Sequence, residues 1–130
     1  MASSTPNHRQ RSGRQAEDAA EALLLAAGHG LVARNLRLGH LEVDLVTIDP
    51  ADGSLVLTEV KARRSGRHAP ELRVDRAKRR HLVLAASMLA CRPAFRARAV
   101  RFDVVAVELD PHGRPLDARH LPRAFTADDG

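Results

Sequence analysis

The stretch from Leu41 to Arg63 limits the fold more than any other part of the chain. It reads LEVDLVTID, then a turn PADGS, then LVLTEVKAR. Two aliphatic, β-branched-rich runs flank a Pro/Asp/Gly turn, the pattern of a β-hairpin. Strand side chains alternate faces. Glu42, Asp44, Val46 and Ile48 therefore share one face of the first run, and Leu55, Leu57, Glu59, Lys61 and Arg63 share one face of the second. With the charged faces coincident, Asp44, Glu59 and Lys61 converge. A solvated amphipathic hairpin can also carry Glu-x-Lys as a cross-strand pair. Here, however, the charges interrupt core-like strands, where unpaired charge is expensive.

A carboxylate on one strand and Glu-x-Lys on the next form the D…ExK arrangement of metal-dependent nucleases. Two carboxylates about 4 Å apart repel by roughly 4 kcal/mol at an effective dielectric of about 20. A divalent cation offsets that repulsion, and Mg²⁺ takes one or two carboxylates plus waters and substrate phosphate. Such an ion polarises a phosphoryl oxygen and acidifies a bound water. Lys61 adds a cation near the developing negative charge and can orient the water.

The rest of the chain narrows the partner. At 130 residues it forms one domain with a core of useful size. It has no Trp or Tyr and three Phe, so aromatic base stacking is nearly ruled out. The net charge of +5 favours a polyanion, nucleic acid before membrane. The basic side chains are almost all arginine, which a generally arginine-rich basic surface would also explain. The one cysteine, Cys91, excludes an internal disulfide and is expected as a buried small hydrophobe. No apolar run matches a leader or a membrane span, and a cytoplasmic location is expected. There is no HExxH, Cys/His cluster, Walker-type loop, GxGxxG or GxSxG, which argues against zinc, nucleotide and α/β-hydrolase chemistry.

In chain order, residues 1–11 read as a disordered basic arm. Residues 12–125 read as a single nuclease-like domain and 126–130 as a frayed tail. Ser12 and Gln15 form a capping-box signature for a first helix. Ala16, Ala19, Ala20, Leu23, Leu24 and Ala27 make its core stripe. Glu17 lies at the stripe's edge, where it is either a surface acid or a carboxylate directed to the sheet. Residues 31–38 read as a strand that leads through Gly39 into the hairpin. RSGRHAPELR then reads as a basic loop beside the site. Asp75 caps a second helix over 76–91, with Lys78 on its inward face among Arg76, Arg79 and Arg80. VRFDVVAVEL reads as a strand buried on both faces, hence with a parallel neighbour, and completes a βαβ crossover. Asp103 is expected to pair with a nearby arginine. After the turn DPHGRP, Leu121 and Phe125 are expected to pack back as part of a short apolar element.

These residues together resemble the YraN-like family of uncharacterised bacterial proteins, predicted endonucleases of the PD-(D/E)XK, restriction-endonuclease-like superfamily. That family is similar to archaeal Holliday-junction resolvases. The resemblance runs over about residues 12–125. G-x-x-x-E stands at Gly13 to Glu17, RN at Arg34–Asn35, and the G-E-I-D element as Leu41-Glu42-Val43-Asp44. The E-V-K-x-R element is Glu59 to Arg63, a helix-start lysine is Lys78, R-F-D-V-V is Arg101 to Val105, and A-F is Ala124–Phe125. Leu41 stands where the family has glycine, and Leu57 where it has an aromatic residue.

The resemblance implies an α/β fold with an αβββαβ core, a mixed central sheet flanked by helices. It implies a catalytic constellation of Glu17, Asp44, Glu59 and Lys61. Asp44 and Glu59 would hold Mg²⁺ or Mn²⁺, with the Val60 carbonyl as third ligand. The expected activity is endonucleolytic hydrolysis of DNA phosphodiesters, at branched or damaged structures. Phosphate contacts are expected from Arg63, Arg64, Arg67, Arg76, Lys78, Arg79 and Arg80. A homodimer is a candidate assembly, and no motif identifies another protein partner. The competing reading is a nucleic-acid-binding or assembly protein that keeps the fold without turnover.

Overall fold

The sheet grows outward from the hairpin expected at its centre. The computed structural model describes residues 8–65 and 74–129, with side chains for 13–65 and 74–128. Strand β2 (Leu41–Asp49) pairs antiparallel with β3 (Ser54–Arg64). Their turn is closed by Gly53 N–H donating to the Asp49 carbonyl at 2.7 Å. Strand β1 (Gly30–Leu38) pairs antiparallel with β2. Their two-residue connection turns on Gly39, whose φ of +65° suits the first central position of a tight hairpin loop. Leu41 follows that turn and is buried. Gly39 thus supplies the positive φ, and Leu41 goes to the core.

Strand β4 (Val100–Leu109) runs parallel to β3, register Glu59 to Val104. The chain reaches it through helix α2 (Arg76–Ala90), as the expected crossover requires. The tail departs from expectation. It forms a full strand, β5 (Pro115–Phe125), antiparallel to β4. The turn before β5 is organised by Asp110, whose carboxylate accepts the N–H groups of His112 and Arg114. Pro115 and Pro122 weaken the strand pattern in sequence, yet proline is tolerated on an edge strand, and β5 is an edge. Leu121 and Phe125 do pack back, with the Phe125 ring stacked on Phe102 at 4.8 Å. The finished sheet is mixed, in the order β1-β2-β3-β4-β5.

Each helix serves a separate apolar cluster. Helix α1 (His8–Ala26) buries Ala16, Ala20 and Leu24 against Leu45, Val105, Val107 and Leu109. It begins at His8, inside the stretch expected to be an arm, because His-Arg-Gln-Arg contains no helix breaker. Ser12 is therefore interior and not a cap. The helix ends in a Schellman arrangement. Gly28, at φ +98°, donates to Leu25, and His29 N–H donates to the Leu24 carbonyl. Helix α2 buries Leu82, Ala85, Ala86 and Leu89 against Leu55, Leu57, Phe102 and Val104. Neighbours Val104 and Val105 enter different clusters, as strand alternation dictates. Cys91 is exposed, contrary to expectation. It occupies the C-cap of α2, where the stripe has ended, and its Sγ lies 3.4 Å from the Ser87 carbonyl.

Candidate metal centre

The β2–β3 ladder runs from the Asp49–Ser54 pair to Leu45–Thr58 and stops there. The next residues along are Asp44 and Glu59. Strand β3 continues beside β4 as far as Arg64, so β2 is the strand that leaves. At the divergence the Asp44 carboxylate takes over from the ladder, accepting the Val60 N–H at 2.8 Å. Side-chain alternation also slips here. Val43 and Val46 pack in the α2-side cluster, while Leu45 packs in the other. In β1, Asn35 takes φ +52° between the Arg34–Leu45 and Leu36–Val43 pairs. Asparagine tolerates that left-handed conformation better than most residues. Glu42, between Leu41 and Val43, stands exposed, and it does not share the face of Val46 and Ile48, which pack in the α2-side cluster with Leu41 and Val43.

Glu59 is the more enclosed carboxylate, with its side chain 16% exposed. Its Oε2 is buried and has no hydrogen-bond partner. Lys78 Nζ lies 3.6 Å from it, beyond hydrogen-bond length but within ion-pair reach. That ammonium also lies 3.4 Å from the Glu42 carbonyl oxygen. Burial pushes the Glu59 carboxyl up to about 7, reinforced by the neighbouring Asp44 charge and opposed by Lys78 and Lys61. Burial also raises Asp44, assisted by Glu17 and Glu42 against the pull of the Val60 N–H and Lys78.

Glu17 reaches the edge of this arrangement without entering it. Its Oε1 accepts from Asn35 Nδ2 at 3.2 Å and lies 3.5 Å from Arg34 Nη2. Among the described residues no three Asp, Glu, His or Cys side chains stand together as a ready metal cage. A hard divalent cation needs none, since Mg²⁺ commonly takes one or two carboxylates and completes its shell with water. The buried Oε2 of Glu59, which accepts no hydrogen bond, beside an Asp44 carboxylate that keeps one oxygen outside the Val60 bond, fits such an ion. Asp44 and Glu59 would hold it, with the Val60 carbonyl as third ligand.

The expected basic residues are distributed unevenly. Lys61 is half-buried on β3, where its charge lowers the Glu59 carboxyl. Arg63 and Arg64 continue that strand, with Arg64 Nη1 donating to the Pro111 carbonyl at 3.1 Å. Arg67 lies outside the described residues. On α2, Arg76 and Arg80 are exposed and Arg79 is half-buried. Lys78 turns away from them to Glu59, a contact that helix periodicity could orient but not identify.

A second polar cluster is larger than the sequence indicates. Arg101 grips the fully buried Asp103 through two 2.9 Å bonds and also donates to Asp49 at 2.8 Å and Asp52 at 3.3 Å. Asp103 further accepts from the Arg123 N–H at 3.1 Å and lies 2.7 Å from His120 Nε2. His29 joins with Nε2 3.6 Å from Asp49 Oδ2 and its ring 5.7 Å from that of His120, while its Nδ1 lies 2.8 Å from Thr47 Oγ1. The expected Asp103–arginine pair is present. The two histidines arrive through turns and an unanticipated strand.

The comparisons with known proteins extend over the same elements. The model described as "Uncharacterised protein family UPF0102" matches residues 16–107. The chain belongs to the UPF0102 family. The match spans Asp44, Glu59, Lys61 and Lys78. UPF0102 protein STH1475 of Symbiobacterium thermophilum is 41% identical over 119 residues, covering 91% of this chain and 98% of the relative. UPF0102 protein XAC0764 of Xanthomonas axonopodis pv. citri is 44% identical over 126 residues, with 95% and 98% covered. A UPF0102 protein of Oleidesulfovibrio alaskensis is 42% identical over 127 residues, spanning 97% of this chain and 61% of the relative. The family thus extends across both helices and at least the first four strands.

Proposed function

We propose that this UPF0102 member is a divalent-metal-dependent endonuclease acting on DNA, with its site at the point where β2 leaves β3. The observation that carries this reading is the buried Oε2 of Glu59, which accepts no hydrogen bond, beside the Asp44 carboxylate. Two carboxylates held there are costly unless a cation joins them. Mg²⁺ or Mn²⁺, when bound, would supply Lewis acidity and an acidified water. Asp44 and Glu59 hold the charge that attracts the ion. The Val60 N–H fixes the Asp44 carboxylate against β3. Lys61 orients the attacking water and offsets charge developing on the phosphate. Glu17 tunes Asp44 electrostatically from α1. The arginines of α2 and of the end of β3 hold DNA through its phosphates, because the chain has little aromatic surface to stack bases.

A second reading has one observation in its favour. Lys78 already pairs with Glu59, so a DNA-binding protein without turnover could keep these carboxylates as a satisfied charge cluster. Mn²⁺ titration of the free protein separates the two. Saturable binding that disappears in Asp44→Ala supports the nuclease. DNA binding that is indifferent to cations and to Asp44→Ala supports the alternative.

A further inference from the structure

The chain carries 21 Lys and Arg residues. Reading along it, lysine occurs only at Lys61 and Lys78, and every other one is arginine. Both lysines act on the same carboxylate, Glu59. Lys61 is the lysine of the Glu-x-Lys motif. Lys78 comes from a different element, the first turn of α2, and places its Nζ 3.6 Å from Glu59 Oε2 and 3.4 Å from the Glu42 carbonyl. The Asp75 carboxylate caps that turn by accepting the Lys78 N–H at 2.8 Å, which fixes where the side chain starts. A lysine ammonium is a compact, strongly hydrated point charge, whereas guanidinium is a wide planar fork. The compact cation of Lys78 stands where the Glu59 carboxylate and the Glu42 carbonyl converge.

We propose that Lys78 is the resident counter-ion of the Asp44–Glu59 site, neutralising it in the metal-free protein and giving way when a divalent cation enters. This rests on the metal reading above and adds a residue that sets the site's affinity. The Lys78 ammonium stands 3.6 Å from Glu59 Oε2, within ion-pair reach but outside hydrogen-bond length, so it can leave without breaking a short directional contact. Lys78 remains about a third exposed, which leaves it a path outward. A cation that enters must compete with the ammonium for Glu59, and metal affinity in the wild type is correspondingly weakened. A merely structural lysine would behave in the opposite way, since its loss would disturb the site and weaken the metal.

The test is Mn²⁺ binding by calorimetry on the full chain without DNA, comparing wild type, Lys78→Met and Lys61→Met. Lys78→Met is expected to bind about tenfold tighter, the equivalent of about 1.4 kcal/mol, and Lys61→Met to change less. A second measurement needs no substitution at position 78. With lysine side chains labelled isotopically, the wild type shows two lysine signals, and Lys61→Met identifies that of Lys78. Mg²⁺ should move the Lys78 signal with the midpoint of metal binding. Binding that is equal or weaker in Lys78→Met, or a Lys78 signal that stays still while Mg²⁺ binds, overturns the counter-ion role and leaves the metal site standing. Absence of binding in the wild type and in Lys78→Met alike overturns the metal reading and the counter-ion role together.

Discussion

The Val60 N–H donates to the Asp44 carboxylate at 2.8 Å at the point where the β2–β3 ladder ends. A side chain thus replaces a backbone acceptor, and one residue serves both the fold and the proposed metal site. The two roles separate by substitution. Asparagine keeps an acceptor oxygen, so Asp44→Asn should stay within about 1 kcal/mol of wild-type stability while losing Mn²⁺ binding. Asp44→Ala leaves the Val60 N–H without its acceptor and should cost about 1–3 kcal/mol in urea unfolding as well. Undiminished Mn²⁺ binding by Asp44→Asn would remove Asp44 from the ligand set.

Glu59 gives the metal-free protein a distinctive pH response. Its folded carboxyl is raised from 4.5 to about 7. A raised carboxyl contributes stability that is present below the unfolded value and lost as pH rises through the folded one. The metal-free protein should therefore lose stability between about pH 4.5 and about pH 7, by on the order of 1–3 kcal/mol. Glu59→Gln should flatten that slope and bind no Mn²⁺. In the wild type, Mn²⁺ affinity should increase over the same interval, because metal binding requires the ionised carboxylate. Parallel pH profiles in wild type and Glu59→Gln would contradict this assignment.

The Arg101 network predicts the opposite trend at low pH. Burial alone would raise Asp103, but Arg101, His120 and the Arg123 N–H together hold it below the usual carboxylate value. Burial lowers His29, against the pull of Asp49. Both groups contribute stability that is present above their unfolded values and lost as pH falls through the folded ones. The His29 part should begin to disappear below about pH 6.5 and the Asp103 part below about pH 4. Asp103→Asn, which leaves Arg101 short of a buried partner, should cost about 3–5 kcal/mol by urea unfolding. A loss under about 1 kcal/mol would mean that Asp49 and Asp52 satisfy Arg101 by themselves.

Local patterns made the sheet's centre legible. The alternation of β2 and β3, the Asp-Gly turn and the Asp75 cap are all short-range signals, and each appears close to where its residues indicate. The Asp44–Glu59–Lys61 grouping was legible because it uses cross-strand neighbours. β5 was less so, because its prolines and charges resemble an irregular tail until β4 is there to pair with it. The slip at Asp44 breaks the simple alternation on which a reading of β2 by itself relies. Helix spacing puts Lys78 on an inward face, but its partner depends on how α2 packs on the sheet. Cys91 departs from the expected burial because it sits just past the end of the buried stripe.

Phosphate contacts should reveal themselves through salt. Arg76 and Arg80 are exposed on the helix that carries Lys78. If both contact duplex phosphates, replacing both with alanine should lower the magnitude of the slope of log K against log salt by about 1.8, about 0.9 for each contact. The weakening should be the same for all sequences. An unchanged slope would move the DNA to another face, and a sequence-selective loss would mean that these arginines read bases.

The central claim is that Asp44 and Glu59 hold a divalent cation with which the protein cuts DNA. It is tested most directly by a cleavage panel of branched, nicked and linear DNAs with Mg²⁺, Mn²⁺ or chelator, using wild type, Asp44→Ala and Lys61→Ala. The expected result is cleavage by the wild type with either cation and none with chelator. Asp44→Ala should bind no Mn²⁺ and cut nothing, whereas Lys61→Ala should bind Mn²⁺ nearly as well as wild type and also cut nothing. Cleavage that survives in Asp44→Ala, or firm DNA binding by the wild type with no cleavage under any cation, would contradict the account.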